Sequence, residues 1–214
     1  MLYSDYLALV SETNADISPY IQHALEDDHF RMLLVKELLT NKKINVYYHT
    51  YVLLSEVSKA NGQVLLPYLT AFISLLGHDN SYHRNYGMHL ISLMASYIDT
   101  QSLKILLPKY YKCLYDEKIS TRKYCIVYSK DLIKTHGDLG HDIVSYIRES
   151  LWNTRLPYKH KWLLIKTFMT LIEELKLDLN EETILFFSDI IDRCENEKHK
   201  KQIISFMKTT YTIN

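Results

Sequence analysis

Glycine and proline are scarce in this chain of 214 residues, at five and four. Chains rich in tight β-turns draw heavily on both residues, so their scarcity argues against an all-β fold. Cysteine is scarcer, at three. Cys113, Cys125 and Cys194 form no CxxC and no zinc spacing, and are expected to be small buried hydrophobes in a reducing compartment. No apolar run approaches the roughly 20 residues of a membrane-spanning helix. The opening MLYSDYLALV has no positive flank and carries Asp5, so neither a signal peptide nor a membrane anchor is expected. The cytoplasm is the expected location. Net charge is zero at pH 7, which removes any global pull toward nucleic acid or membrane.

The common catalytic signatures are missing too. There is no P-loop, GxGxxG, HExxH or GxSxG in the sequence. The carboxylate pairs Asp27–Asp28 and Glu181–Glu182 fall at helix starts, where the helix dipole favours negative charge. Glu173–Glu174 closes a helix and is expected to be solvated. No catalytic residue, cofactor or metal is assigned.

What the chain does contain is helical text, with apolar residues recurring at three- and four-residue steps throughout. It also contains a repeat. Segments beginning at Ile44, Ser81, Ile119 and Pro157 align, and Tyr48, Tyr86, Tyr124 and Trp162 stand 38 residues apart, three times running. A fifth copy begins near Glu197 without an aromatic at the matching place. Each copy is preceded by another amphipathic segment, starting near His29, Gln63, Leu103, His141 and Glu181. Gly62, Gly77 and Gly137 sit where left-handed helix caps are expected. Asp28, Asp99, Asp138 and Asn180 stand near helix starts, where an oxygen can accept an orphan N–H. Pro67 and Pro108 interrupt helical text and predict a delayed start or a kink. Gly87 falls at a small-residue position for close helix packing. His83 and His89, six apart, do not share a helix face as a zinc pair would, and are expected to be half-exposed.

The stretch LLPYLTAFISLLGHDNSYHRNYGMHLISL resembles a HEAT repeat, with Pro67 in a first helix, Asp79 in the turn and Arg84 opening the second. Pro108, Asp116 and Arg122 repeat the pattern. The fourth unit departs from it, with His160 at the arginine position and no proline in its first helix. The resemblance covers about residues 29–210. It implies an all-α, right-handed α-solenoid of four to five HEAT-like helix pairs, with second helices lining a concave groove. The expected organisation is a single domain, 1–214, with a cap and partial repeat at 1–43, regular repeats at 44–196 and a partial repeat at 197–214.

Two readings of the aromatic series stay open. The rings at Tyr48, Tyr86, Tyr124 and Trp162 can pack repeat on repeat. Alternatively they line the groove, with Lys123, Lys130, Lys161 and Lys166 interleaved as ligand-binding cations. Residues 100–170 carry thirteen bases against six acids, and 171–197 carry nine acids against two bases. The expected function is a non-catalytic scaffold or regulatory adaptor binding another protein along the groove. The alternative is nucleic-acid binding through the basic middle. A more remote resemblance, to the HEAT-like DNA alkylation repair glycosylases, implies a carboxylate beside an exposed base. Asp131 is the residue placed for that role, and no arginine stands one repeat later near Met169.

Overall fold

The computed structural model describes residues 3–153 and 155–211. They form helices joined by short turns, with no strand among the described residues. The chain divides into two compact units, residues 1–110 and 111–214.

In the first unit, α1 (Tyr3–Val10) and α2 (Ser18–Glu26) precede α3 (Asp28–Thr40) and α4 (Ile44–Asn61). A 3-10 turn over Gly62–Tyr68 then leads into α5 (Leu69–Leu75). Next come α6 (Ser81–Leu93) and α7 (Thr100–Tyr110). Pro67 lies in that 3-10 turn and delays the helix start, because it has no N–H for a helical bond. Pro108 lies near the end of α7. Helix α3 packs on α4, and α5 packs on α6. The first helices α3 and α5 also touch, as do the second helices α4 and α6. Tyr6, Leu34, Leu38, Leu53, Leu54 and Phe72 fill the core between them.

The second unit starts with a 3-10 turn over Tyr111–Tyr115. Its helices are α8 (Ile119–Thr135), α9 (Gly140–Asn153), α10 (Tyr158–Leu175), α11 (Glu181–Arg193) and α12 (Glu197–Tyr211). Here too like touches like: α8 packs on α10, and α9 packs on α11. Ile126, Ile147, Phe168, Ile172, Phe186 and Phe187 are buried among them. The repeated segments read from the sequence thus coincide with α4, α6, α8, α10 and α12.

Arginine secures three of the junctions. Arg31, Arg84 and Arg122 each stand in the first turn of α3, α6 and α8. Arg31 donates to the carbonyls of Ala24 and Leu25 at 2.9 and 3.0 Å. Arg84 donates to those of His78 and Asp79 at 2.6 and 2.8 Å. Arg122 donates to those of Asp116 and Tyr115. Each guanidinium thereby satisfies carbonyls that end the preceding segment, which helical bonding leaves open.

The helix caps depart from expectation. No glycine has a positive φ, and Gly62 is right-handed at φ −64°. Its missing side chain serves another purpose: a Cβ there would meet the Tyr97 ring at 2.8 Å. The left-handed cap belongs instead to Lys176, at φ 50° and ψ 44°, where Leu177 N–H reaches back to the Ile172 carbonyl. Asp27, not its neighbour Asp28, caps α3 by accepting from Phe30 N–H. Asp99 and Asn180 accept from Ser102 and Thr183 N–H as expected, while Asp138 lies within a 3-10 turn.

Gly87 is a packing glycine, because a Cβ would sit 2.8 Å from both Leu75 Cβ and the Phe72 carbonyl oxygen. His83 is less exposed than expected, whereas His89 is half-exposed as expected. His83 is 3% exposed, stacked on His78 at 4.2 Å and tilted against Tyr47 at 4.5 Å. His89 Nδ1 is hydrogen-bonded to the Tyr51 hydroxyl at 2.7 Å.

Candidate functional site

The aromatic series does not behave as one feature. Tyr48 and Tyr124 are 46% and 38% exposed, whereas Tyr86 is 9% exposed. Tyr86 lies flat on Tyr51 of the preceding second helix, with centroids 3.8 Å apart. Trp162 lies flat on His199 of the following second helix, at 3.9 Å. Tyr124 stacks on Tyr128, one turn along its own helix. Two rungs therefore pack repeat on repeat, and two face outward. His199 supplies the ring that the fifth copy lacks at the matching position.

The lysines divide as well. Lys130 on α8 pairs with Glu174 on α10 at 2.7 Å, so it is a tie between helices, and Glu174 is not merely solvated. Lys123 is half-buried and Lys166 is exposed. Lys161 and Trp162 come together, with residues the repeat did not mark, at a cleft of about 140 Å³ between α9, α10 and α11.

Ile165 of α10 and Phe186 and Ile190 of α11 line this cleft with apolar surface. Trp152, Tyr158 and Trp162 add aromatic surface. Lys161, Asp189, Arg193 and Cys194 add polar groups. Local structure explains the convergence. Tyr158, Lys161, Trp162 and Ile165 recur at helical steps on α10, and Phe186, Asp189, Ile190 and Arg193 do so on α11. Arg148 of α9 pairs with Glu182 in the first turn of α11, which holds together the two helices flanking the cleft.

The α12 side of Trp162 opens a second groove, lined on α10 by Lys166, Met169 and Glu173 and on α12 by Gln202, Ser205 and Phe206. Trp162 lines both spaces.

At one edge of the cleft, Tyr158 hydroxyl meets His199 Nδ1 at 2.7 Å and Cys194 Sγ at 3.5 Å. Partial burial, reinforced by the neighbouring thiol, pushes the Tyr158 hydroxyl up to about 12. Desolvation and the Lys198 charge push His199 below its ordinary value. Near neutral pH the phenol is therefore protonated and donates to a neutral imidazole. This arrangement ties α12 to α10. The thiol faces the phenol and also donates to the Asn196 carbonyl at 3.4 Å, so the imidazole is not placed as its base.

Asp131 stands half-buried on α8 and lines neither space. Tyr48, Tyr86, Tyr124, Lys123 and Lys130 line neither space. No group of three metal-ligating side chains occurs among the described residues. No helix among them is long and apolar enough to cross a membrane.

Sequence reasoning missed Trp152, Tyr158, Phe186, Ile190 and Arg193. The available signal was the pairing of a tryptophan ending one first helix with an apolar stripe on the next. No protein-family model matches this chain, and no curated protein matches it.

Proposed function

We propose that this chain is a non-catalytic scaffold or adaptor that binds another protein, with the α9–α11 cleft as its principal contact. The carrying observation is that cleft: a floor of Ile165, Phe186 and Ile190 beside three large rings, with charged groups alongside. Such a surface gains by burying a partner's apolar side chain. The like-on-like helix contacts within each unit support an α-solenoid of HEAT-like pairs, right-handed as the resemblance implies, in which each pair completes the core of its neighbour. Three cysteines outside any disulfide support a reducing, cytoplasmic setting.

Capture from the source cell tests this reading, using the native chain and an Ile190→Glu variant side by side. A protein retained by the native chain and lost with the variant supports it. Retention of nucleic acid instead would overturn it. In that case, anisotropy with labelled DNA and RNA shows affinity falling linearly on a log–log salt plot.

A further inference from the structure

We infer that the α9–α11 cleft takes an acidic segment of a partner protein, docked through one large apolar side chain between Trp152 and Trp162. This rests on the protein-binding reading and narrows it.

The cleft has the apolar floor and aromatic sides that an anchor side chain needs. Aromatic sides alone would equally suit a cation, since ring faces attract positive charge. The charged groups decide between the two. Among the described residues Asp189 is the one carboxylate lining the cleft, and it already pairs with Arg193 at 2.7 Å. The Arg193 side chain is 76% exposed, and a guanidinium has five N–H donors, so it keeps donors to offer. Lys161 has no carboxylate partner among the described residues. A cationic occupant would thus meet two cations and a carboxylate already engaged. An occupant with carboxylates beside its anchor pairs with Lys161 and bridges to Arg193.

The chain carries its own reporter, because Trp152 and Trp162 are its two tryptophans and both line this cleft. The test is a titration of the full chain with three synthetic peptides, followed by tryptophan emission. One peptide has a central phenylalanine flanked by aspartate and glutamate. The second has alanine at the centre, and the third has lysine in place of the acids. The acidic phenylalanine peptide is expected to shift the emission. The other two should bind about tenfold more weakly or less, from the lost apolar burial and the reversed charge. The double change Lys161→Glu and Arg193→Glu, checked for an unchanged melting curve, should reverse the charge preference.

No emission change with the acidic peptide, or a preference for the lysine peptide in the native chain, would overturn the inference. A partner still captured in an Ile190-dependent way would then leave the protein-binding reading standing without the acidic occupant. Loss of both would remove the two together.

Discussion

Gly87 has no room for a methyl group. Alanine favours a helix over glycine by about 1 kcal/mol, but here its Cβ would press on the Phe72 carbonyl and Leu75 Cβ. Neither atom can swing aside as a flexible side-chain end can. Overpacking of this kind costs about 1–3 kcal/mol, so Gly87→Ala should lower the melting temperature. Gly137 makes the opposite case: its φ is not positive and a Cβ would meet nothing within 4 Å. Gly137→Ala should raise stability by about 0.4–1 kcal/mol through the unfolded chain.

The two histidines of α6 add a pH dependence. Desolvation, with the neighbouring His78, pushes His83 down to about 4, and desolvation with the Lys59 charge does the same for His89. Unfolded, both titrate near 6.5. Between those values the unfolded chain binds more protons than the folded one, so stability rises with pH. This contribution is complete above about 6.5 and is lost as pH falls toward 4. Thermal melts across that window should show the decline, and His89→Gln should make it shallower.

At the scale of elements, the end of α10 holds a residue poorly suited to its backbone. The left-handed conformation costs a non-glycine residue roughly 1–2 kcal/mol, and Lys176 bears it alone among the described non-glycine residues. Lys176→Gly should therefore stabilise the chain by about 1 kcal/mol, read as a shift in the denaturant midpoint at unchanged slope. The start of α12 is capped by Asn196, which accepts from His199 N–H, and is tied to α10 by the His199 imidazole, which stacks on Trp162 and accepts from Tyr158. His199→Ala should speed amide exchange over 197–211 and leave α4 and α6 unaffected. Protection that stays unchanged along α12 would show that Phe206 and Ile203, both buried, hold the helix unaided.

For the molecule as a whole, zero net charge at pH 7 and a sequence pI near 7.1 predict a solubility minimum near neutrality, because self-repulsion vanishes there. Turbidity against pH measures this directly. The helices from α3 onward were legible because a 38-residue period repeats the same apolar faces and polar turns, whereas α1 and α2 lie before that period begins. The C-terminal cap geometry was not legible, because glycine answers two needs and sequence does not separate them. At Gly62 the need is space for Tyr97, not a left-handed turn. The candidate site was legible only at Lys161 and Trp162. A period marks what repeats, whereas Trp152, Ile190 and Arg193 occupy positions that vary between copies. The cleft lies in the fourth pair, where the Pro and Arg of the repeat have already been dropped.

Cys113 and Cys125 are buried, and Cys194 is half-exposed at the edge of the cleft. Thiol chemistry on the folded chain is thereby directed to one position without engineering. A maleimide fluorophore would label Cys194 ahead of the other two and place an energy-transfer acceptor beside both tryptophans. Seating of an occupant could then be read as protection of Cys194 from labelling, in the unmodified sequence.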